Sequence, residues 1–200
     1  MNRRNLLTVA GSALLNGALI AGGAGAILAP AAATPSTGVA PTEPLDVPSA
    51  PVTPARLLSF INTHTGDRFA DAYYENGAYV PDALAAINQV MRDHRSGEVH
   101  EIDPNLLDQL FRLKGEVGAH APFQIISGYR SPTTNAALAS RSNGVATRSL
   151  HMQGRAIDIR VGGVDLPRLR DAAIAMQAGG VGYYEASDFI HVDTGRVRRW

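Results

Sequence analysis

Residues 154–161 read GRAIDIRV, and the reading of this octapeptide decides what the rest can be. Ile157, Ile159 and Val161 alternate with Ala156, Asp158 and Arg160. A period of two predicts a β-strand with one apolar face and one mixed face. Three β-branched residues favour the same reading. Asp158 then lies opposite its isoleucine neighbours. Upstream, SLHMQ places His151 seven positions before Asp158, in a loop that enters the strand. Downstream, FIHVD repeats the pattern, with His191 between Ile190 and Val192. An aspartate and a histidine interleaved with β-branched residues are costly inside a sheet unless paired or metal-bound.

The flanking segments supply the remaining elements. Residues 56–80, RLLSFINTHTGDRFADAYYENGAYV, predict a β-hairpin or short meander with turns at HTGD and ENG. PDALAAINQVMRDHR (81–95) predicts a helix that starts at Pro81, with Leu84, Ile87, Val90 and Met91 on one face. DPNLLDQLFRLKGEVG (103–118) predicts a second helix. Asp103 is its N-cap before Pro104, and Leu106, Leu107, Leu110, Leu113 and Val117 form its stripe. FQIIS (123–127) is a buried strand that runs into GYRSP. TTNAALASR predicts a short helix and SNGVATRS a loop. LPRLRDAAIAMQ (166–177) is a third long helix. GGVGYY and DFIHVDTG are two closing strands joined by EAS. The expected class is α+β, an antiparallel β-sheet packed with three main helices.

The chain has 200 residues, 45% of them hydrophobic, and its formal net charge is zero. It contains no cysteine, which excludes a disulfide framework, thiolate zinc ligands and a cysteine nucleophile. The N-terminus reads as a targeting segment over residues 1–33. Arg3 and Arg4 precede an Ala/Gly/Leu-rich run, and Ala31 and Ala33 fit a small-residue cleavage rule. The Arg-Arg-x-Leu-Leu context resembles a twin-arginine signal; an ordinary secretory signal is the plain alternative. Glycines interrupt the apolar run, which argues against a stable membrane span. Export, to the periplasm, is expected. Residues 34–54 are Pro/Ser/Thr-rich and predict a flexible linker, leaving 55–200 as one folded domain. Cutting after Ala33 removes two arginines and no acid, which takes the formal charge from zero to −2. That balance gives no electrostatic case for nucleic acid. A monomer is expected.

By spacing alone, His151, Asp158 and His191 fit three ligands of a catalytic zinc ion, with a fourth position left for water. A buried Asp–His hydrogen bond, or a polar outer face of the sheet, would account for the same three residues.

Several motifs in order carry a resemblance: NTHTGD, SGYRSPTTN, SLHMQGRAIDIR and GGVGYYEASDFIHVDTG. Together they resemble the YcbK-like (MepK-type) murein endopeptidases. These belong with the zinc D-Ala-D-Ala peptidases, in a fold group shared with lysostaphin and the hedgehog domain. The resemblance implies a zinc metallopeptidase that cuts peptide cross-links in peptidoglycan, with Zn2+ on His151, Asp158 and His191. It implies Asp188 as general base, where the wider group carries Glu. In a regular strand positions 188 and 191 point to opposite faces, so this role needs an irregular start to the strand. It places Arg130 beside the substrate, to hold a carboxylate or the oxyanion, and Ser149 as a substrate contact or loop-shaping residue. Asp193 shares the face of His191 and would orient it or shape the DTG turn. Tyr183 and Tyr184 would line the cleft or pack as core. His64 would stabilise its turn, His94, His100 and His120 would be solvated, and RVRRW would end a strand with solvated arginines. A D,D- or L,D-carboxypeptidase acting on stem peptides, or a non-catalytic zinc-stabilised wall-binding module, are the alternatives.

Overall fold

Eight strands form one sheet in the order β3-β2-β1-β4-β5-β7-β6-β8. The computed structural model describes residues 53–141 and 145–200; the leader and all but the end of the linker lie outside the described residues. The strands are β1 (Arg56–Asn62), β2 (Arg68–Glu75), β3 (Ala78–Tyr79), β4 (Phe123–Ser127), β5 (Ala156–Val161), β6 (Gly180–Tyr184), β7 (Phe189–Asp193) and β8 (Arg198–Arg199). Four helices accompany them: α1 (Pro81–Val90), α2 (Pro104–Glu116), α3 (Pro132–Ala139) and α4 (Leu166–Ala175). The α+β class and the three longer helices are as expected. Among the described residues no helix is long and apolar enough to cross a membrane.

The sheet is mixed where an antiparallel one was expected. β1 pairs with β4 in parallel, and β6 with β8. The causes are topological. Both α1 and α2 lie between β1 and β4, so the chain returns in the same direction after a crossover. β8 passes its antiparallel neighbour β7 and adds to the far side of β6, which makes it parallel to β6.

Alternation along the strands separates two chemistries. Leu58, Phe60, Phe123, Ile125, Ile157, Ile159, Ile190 and Val192 join one apolar core with Leu106, Leu107, Leu110 and Leu113 of α2. Helix α2 starts as its sequence dictates. Asp103 accepts the Asn105 amide at 2.9 Å, and Pro104 occupies the first helical position, where no N–H is needed. Helix α1 stops at Val90 instead of running to Arg95. The buried Asp93 carboxylate accepts the amides of Arg95 and Ser131, both at 2.9 Å. It offers the backbone an alternative to the helix and ties this bend to the start of α3.

The other face of the sheet carries the polar residues. Ser127, Asp158, His191 and Gly182 stand directly opposite one another across β4, β5, β7 and β6. Ser127 joins this row through a register shift between Ile125 and Ser127, a bulge that adds one residue to β4 and re-aims its end.

Candidate metal centre

The row explains why two residues 33 positions apart meet. Asp158 and His191 are paired across an antiparallel ladder, so their side chains leave the same face. A one-residue slip would turn His191 into the apolar core. His151 arrives from a 3₁₀ turn, Leu150–Gln153, which closes at Gly154 with φ +64°. That backbone suits glycine, and the Glu101 carbonyl already stands where a Cβ would project.

Three donor atoms converge. His191 Nδ1 lies 2.9 Å from Asp158 Oδ1, His151 Nε2 lies 3.2 Å from the same oxygen, and the two ring nitrogens are 3.2 Å apart. Ligands about 2 Å from one tetrahedral ion stand roughly 3.3 Å apart, so the spacing fits. All three residues are buried, and they form a metal-compatible group.

The far side of each donor is also held. His151 Nδ1 donates to Gly128 O at 2.7 Å, and His191 Nε2 donates to Asp193 Oδ2 at 2.9 Å. Asp158 Oδ2 accepts Arg130 Nη2 at 2.7 Å. With both imidazoles neutral, these outward bonds place the ring protons on the nitrogens that face away. Two nitrogen lone pairs and a carboxylate oxygen then converge with no donor between them. Such a point calls for a cation. Burial pushes the His151 pKa down, outweighing the pull of Asp158. Burial opposes ionisation of Asp158, but the two histidines hold its carboxyl well below the usual range. For these two residues both directions favour the ligating forms, a neutral imidazole and a carboxylate. His191 goes the other way: burial opposes its charge, but the Asp158 and Asp193 carboxylates raise its pKa, and a cation at Nδ1 would take the place of that proton.

The SGYRS motif is the scaffold for this arrangement. A Cβ on Gly128 would run into the Met91 backbone, and the Met91 carbonyl accepts the Tyr129 amide at 2.8 Å. Arg130 Nε donates to Ser127 Oγ at 3.0 Å, and the Arg130 amide donates to His151 O at 3.2 Å. Arg130 therefore grips Asp158, while its Nη1 makes no hydrogen bond among the described residues. Ser149 caps the 3₁₀ turn and lines the cleft.

The cleft holds about 420 Å3 and is lined by the three donors with Arg130, Arg148, Ser149, Tyr184, Phe189, Arg198 and Trp200, among others. Strand parity sorts the two tyrosines. Tyr184 pairs with Phe189 and lines the cleft; Tyr183 pairs with Ile190 and packs against the core. A larger hollow of about 850 Å3 runs along α4 but gathers no ligating set.

Asp188 stands apart from the trio. It ends a 3₁₀ turn with φ +53°, so the strand does start irregularly. Its side chain is 65% exposed and bound to Arg160 at 2.8 Å, next to the cleft residue Phe189 but outside the lining. The remaining histidines also stay out of the trio. His64 Nε2 donates to Ile126 O at 3.1 Å, and the ring stacks on His94 with centroids 3.8 Å apart. His94 is half-buried instead of solvated, and burial pushes its pKa down to about 4. His100 stacks on Tyr129 at 4.6 Å.

Arg198 departs most from its sequence reading. It is a clamp, not a solvated strand end. Its Nη2 lies 2.6 Å from Asp193 Oδ2 and its Nη1 3.0 Å from Oδ1. The amides of Gly180 and Gly195 reach the same carboxylate at 3.0 and 2.8 Å. Asp193 therefore both orients His191 and shapes the turn. A Cβ at Gly180 would collide with this pair, and one at Gly195 would crowd it. The glycines at 179–180 and 195 were the available sequence signal. Their meaning depended on a partner that only the fold identifies.

Comparison with known proteins identifies the family. The family model described as "Peptidoglycan L,D-endopeptidase MepK", in peptidase family M15, matches residues 50–200. The chain is 42% identical over 199 residues to the peptidoglycan L,D-endopeptidase MepK of Escherichia coli strain K12, covering 100% of this chain and 97% of the relative. The Shigella flexneri protein of that name matches to the same extent. A probable peptidoglycan L,D-endopeptidase MepK of Haemophilus influenzae is 42% identical over 146 residues, 72% of this chain and 78% of its own length. With the family model spanning the whole described domain and this identity extending along the full chain, the protein belongs to the MepK family of peptidoglycan endopeptidases, metal-dependent peptidases of family M15.

Proposed function

We propose that this murein endopeptidase hydrolyses an L,D peptide cross-link of peptidoglycan with a zinc ion held by His151 Nε2, Asp158 Oδ1 and His191 Nδ1. The observation that carries the reading is the convergence of two ring nitrogens and one carboxylate oxygen to within 3.2 Å of one another. Two imidazoles and one carboxylate, with one side open to a cleft, match the donor set of a catalytic zinc site. A bound zinc ion supplies Lewis acidity, which polarises an amide carbonyl and lets water ionise near neutral pH.

The chain's own residues do the rest. Gly128 and Asp193 fix the two ring tautomers. Arg130 orients Asp158 and lines the cleft, where its guanidinium can dock a substrate carboxylate or the developing oxyanion. Ser149 offers its hydroxyl to the same cleft. Asp188 takes a proton from the attacking water and returns it to the leaving amine. The acyl side gains OH and the amine side gains H. To act, Asp188 must leave Arg160; an exposed ion pair is worth at most about 1 kcal/mol, small beside the barrier. Residues 1–33 direct export to the periplasm by the twin-arginine route. The 34–54 linker frees a monomeric domain, 55–200, to reach its polymeric substrate.

The test is digestion of purified peptidoglycan by the full chain, with and without chelator, beside His151→Ala. Release of cross-linked fragments should stop with chelator, return with zinc, and be lost in the variant. Cleavage that survives both treatments would overturn the zinc mechanism.

A further inference from the structure

Trp200 is 51% exposed, yet it is pinned from several sides. Its indole N–H donates to Tyr184 Oη at 2.9 Å. Its backbone amide donates to Val181 O, and its carbonyl accepts the Tyr183 amide. The Arg198 guanidinium lies 4.8 Å from its ring centre. Gly182 leaves the space it fills, since any Cβ there would meet the indole. The ring lies 5.3 Å from that of the donor His191. Beside it Tyr184 stacks on Phe189 at 4.7 Å. A large apolar side chain held this firmly but left half in water gains little from folding, and exposed aromatic surface in a cleft marks a binding site.

We infer that Trp200, Tyr184 and Phe189 form a substrate subsite that takes the uncharged aliphatic segment of the stem peptide next to the scissile amide. The inference rests on the peptidase reading. Two observations select the occupant. The shelf adjoins His191, so whatever covers it sits beside the bond that is cut, and there the substrate is peptide, not sugar. The other flank of the cleft carries Arg130 and the exposed Arg148, whereas the guanidinium at the shelf, Arg198, is already bound to both oxygens of Asp193. Carboxylates are drawn to that flank and aliphatic chain to the shelf. The two walls set the direction in which the peptide lies across the metal centre.

Trp200 is the chain's single tryptophan, so its fluorescence reports the shelf directly and without turnover. The full chain carrying Asp188→Asn is titrated with a sugar-free, cross-linked stem-peptide dimer, and emission is followed. The expected result is a saturable shift or quench, of equal size for the same dimer bearing its disaccharides. In parallel, Trp200→Ala should raise KM about tenfold with kcat within threefold, and Trp200→Phe should recover most of that loss. Zinc affinity, from competition with a chelator, should stay within twofold. A fall in kcat or in zinc affinity would overturn the subsite and make Trp200 a cover for His191. A fluorescence change confined to the disaccharide-bearing dimer would assign the shelf to the glycan. Failure of the peptidase reading looks different: the unsubstituted chain would show no chelator-sensitive cleavage at all.

Discussion

Two aspartates bracket His191, and their surroundings differ sharply. Asp193, two residues on, is fully buried and surrounded by His191, Arg198 and the amides of Gly180 and Gly195. Asp188, three residues back, has one charged partner, Arg160, and a mostly exposed carboxylate in a left-handed turn. Both are short acids near a metal-binding histidine in sequence. Parity separates them. An offset of two keeps a side chain on the same face of a strand, where it can support its neighbour. An offset of three does not, so Asp188 reaches its position only through the turn that starts the strand, with its carboxylate open to solvent. One aspartate is held on every side and the other by a single exposed ion pair.

The contrast can be tested in order of expected effect. Asp188→Asn should lower kcat roughly 10²–10³-fold, the usual worth of general acid–base help, while zinc affinity measured by chelator competition stays unchanged. A loss below threefold would move the base role elsewhere. Asp193→Asn should do the reverse at the binding step, weakening zinc affinity roughly 10–100-fold, as removal of a group that orients a metal ligand does. If the two variants gave the same pattern, the division between them would fail. Arg198→Ala, one bond further out, should weaken zinc affinity about tenfold, with partial recovery in Arg198→Lys because lysine cannot bind both oxygens of Asp193.

The smallest effect is on acid stability. Burial opposes ionisation of Asp193, yet His191 and Arg198 hold its carboxyl well below the usual range. A depressed native pKa means that the unfolded chain binds the proton first. The stabilisation is therefore complete above the unfolded value of about 4 and is lost as pH falls below it. In chelator, Asp193→Asn should flatten the acid limb of the stability curve by on the order of 1 kcal/mol. Urea midpoints measured between about pH 3 and pH 6 would report it.

Much of this could be read along the chain because it is periodic. The alternation of Ile157 and Ile159 about Asp158, and of Ile190 and Val192 about His191, marked two strands and the residues on their polar face. The stripe of Leu106, Leu107, Leu110 and Leu113 and the cap at Asp103 marked α2. The apolar pattern carries α1 five residues too far, to Arg95, because its end depends on Asp93 capturing the Ser131 amide 38 positions away. Arg198 was read as solvated, because a guanidinium shows nothing in sequence of the buried carboxylate it will meet.

Residue types and local period follow from the chain alone: which residues could ligate, which face each would take, and that no thiol was available. Tertiary structure decided the rest, because it depends on partners distant in the chain. The β5–β7 register sets Asp158 against His191. The bulge in β4 carries Ser127, and with it Arg130, to Asp158. Gly128 and Asp193 choose which ring nitrogens face inward. Each of these is a matter of contact between segments, and a linear pattern holds no distances between segments.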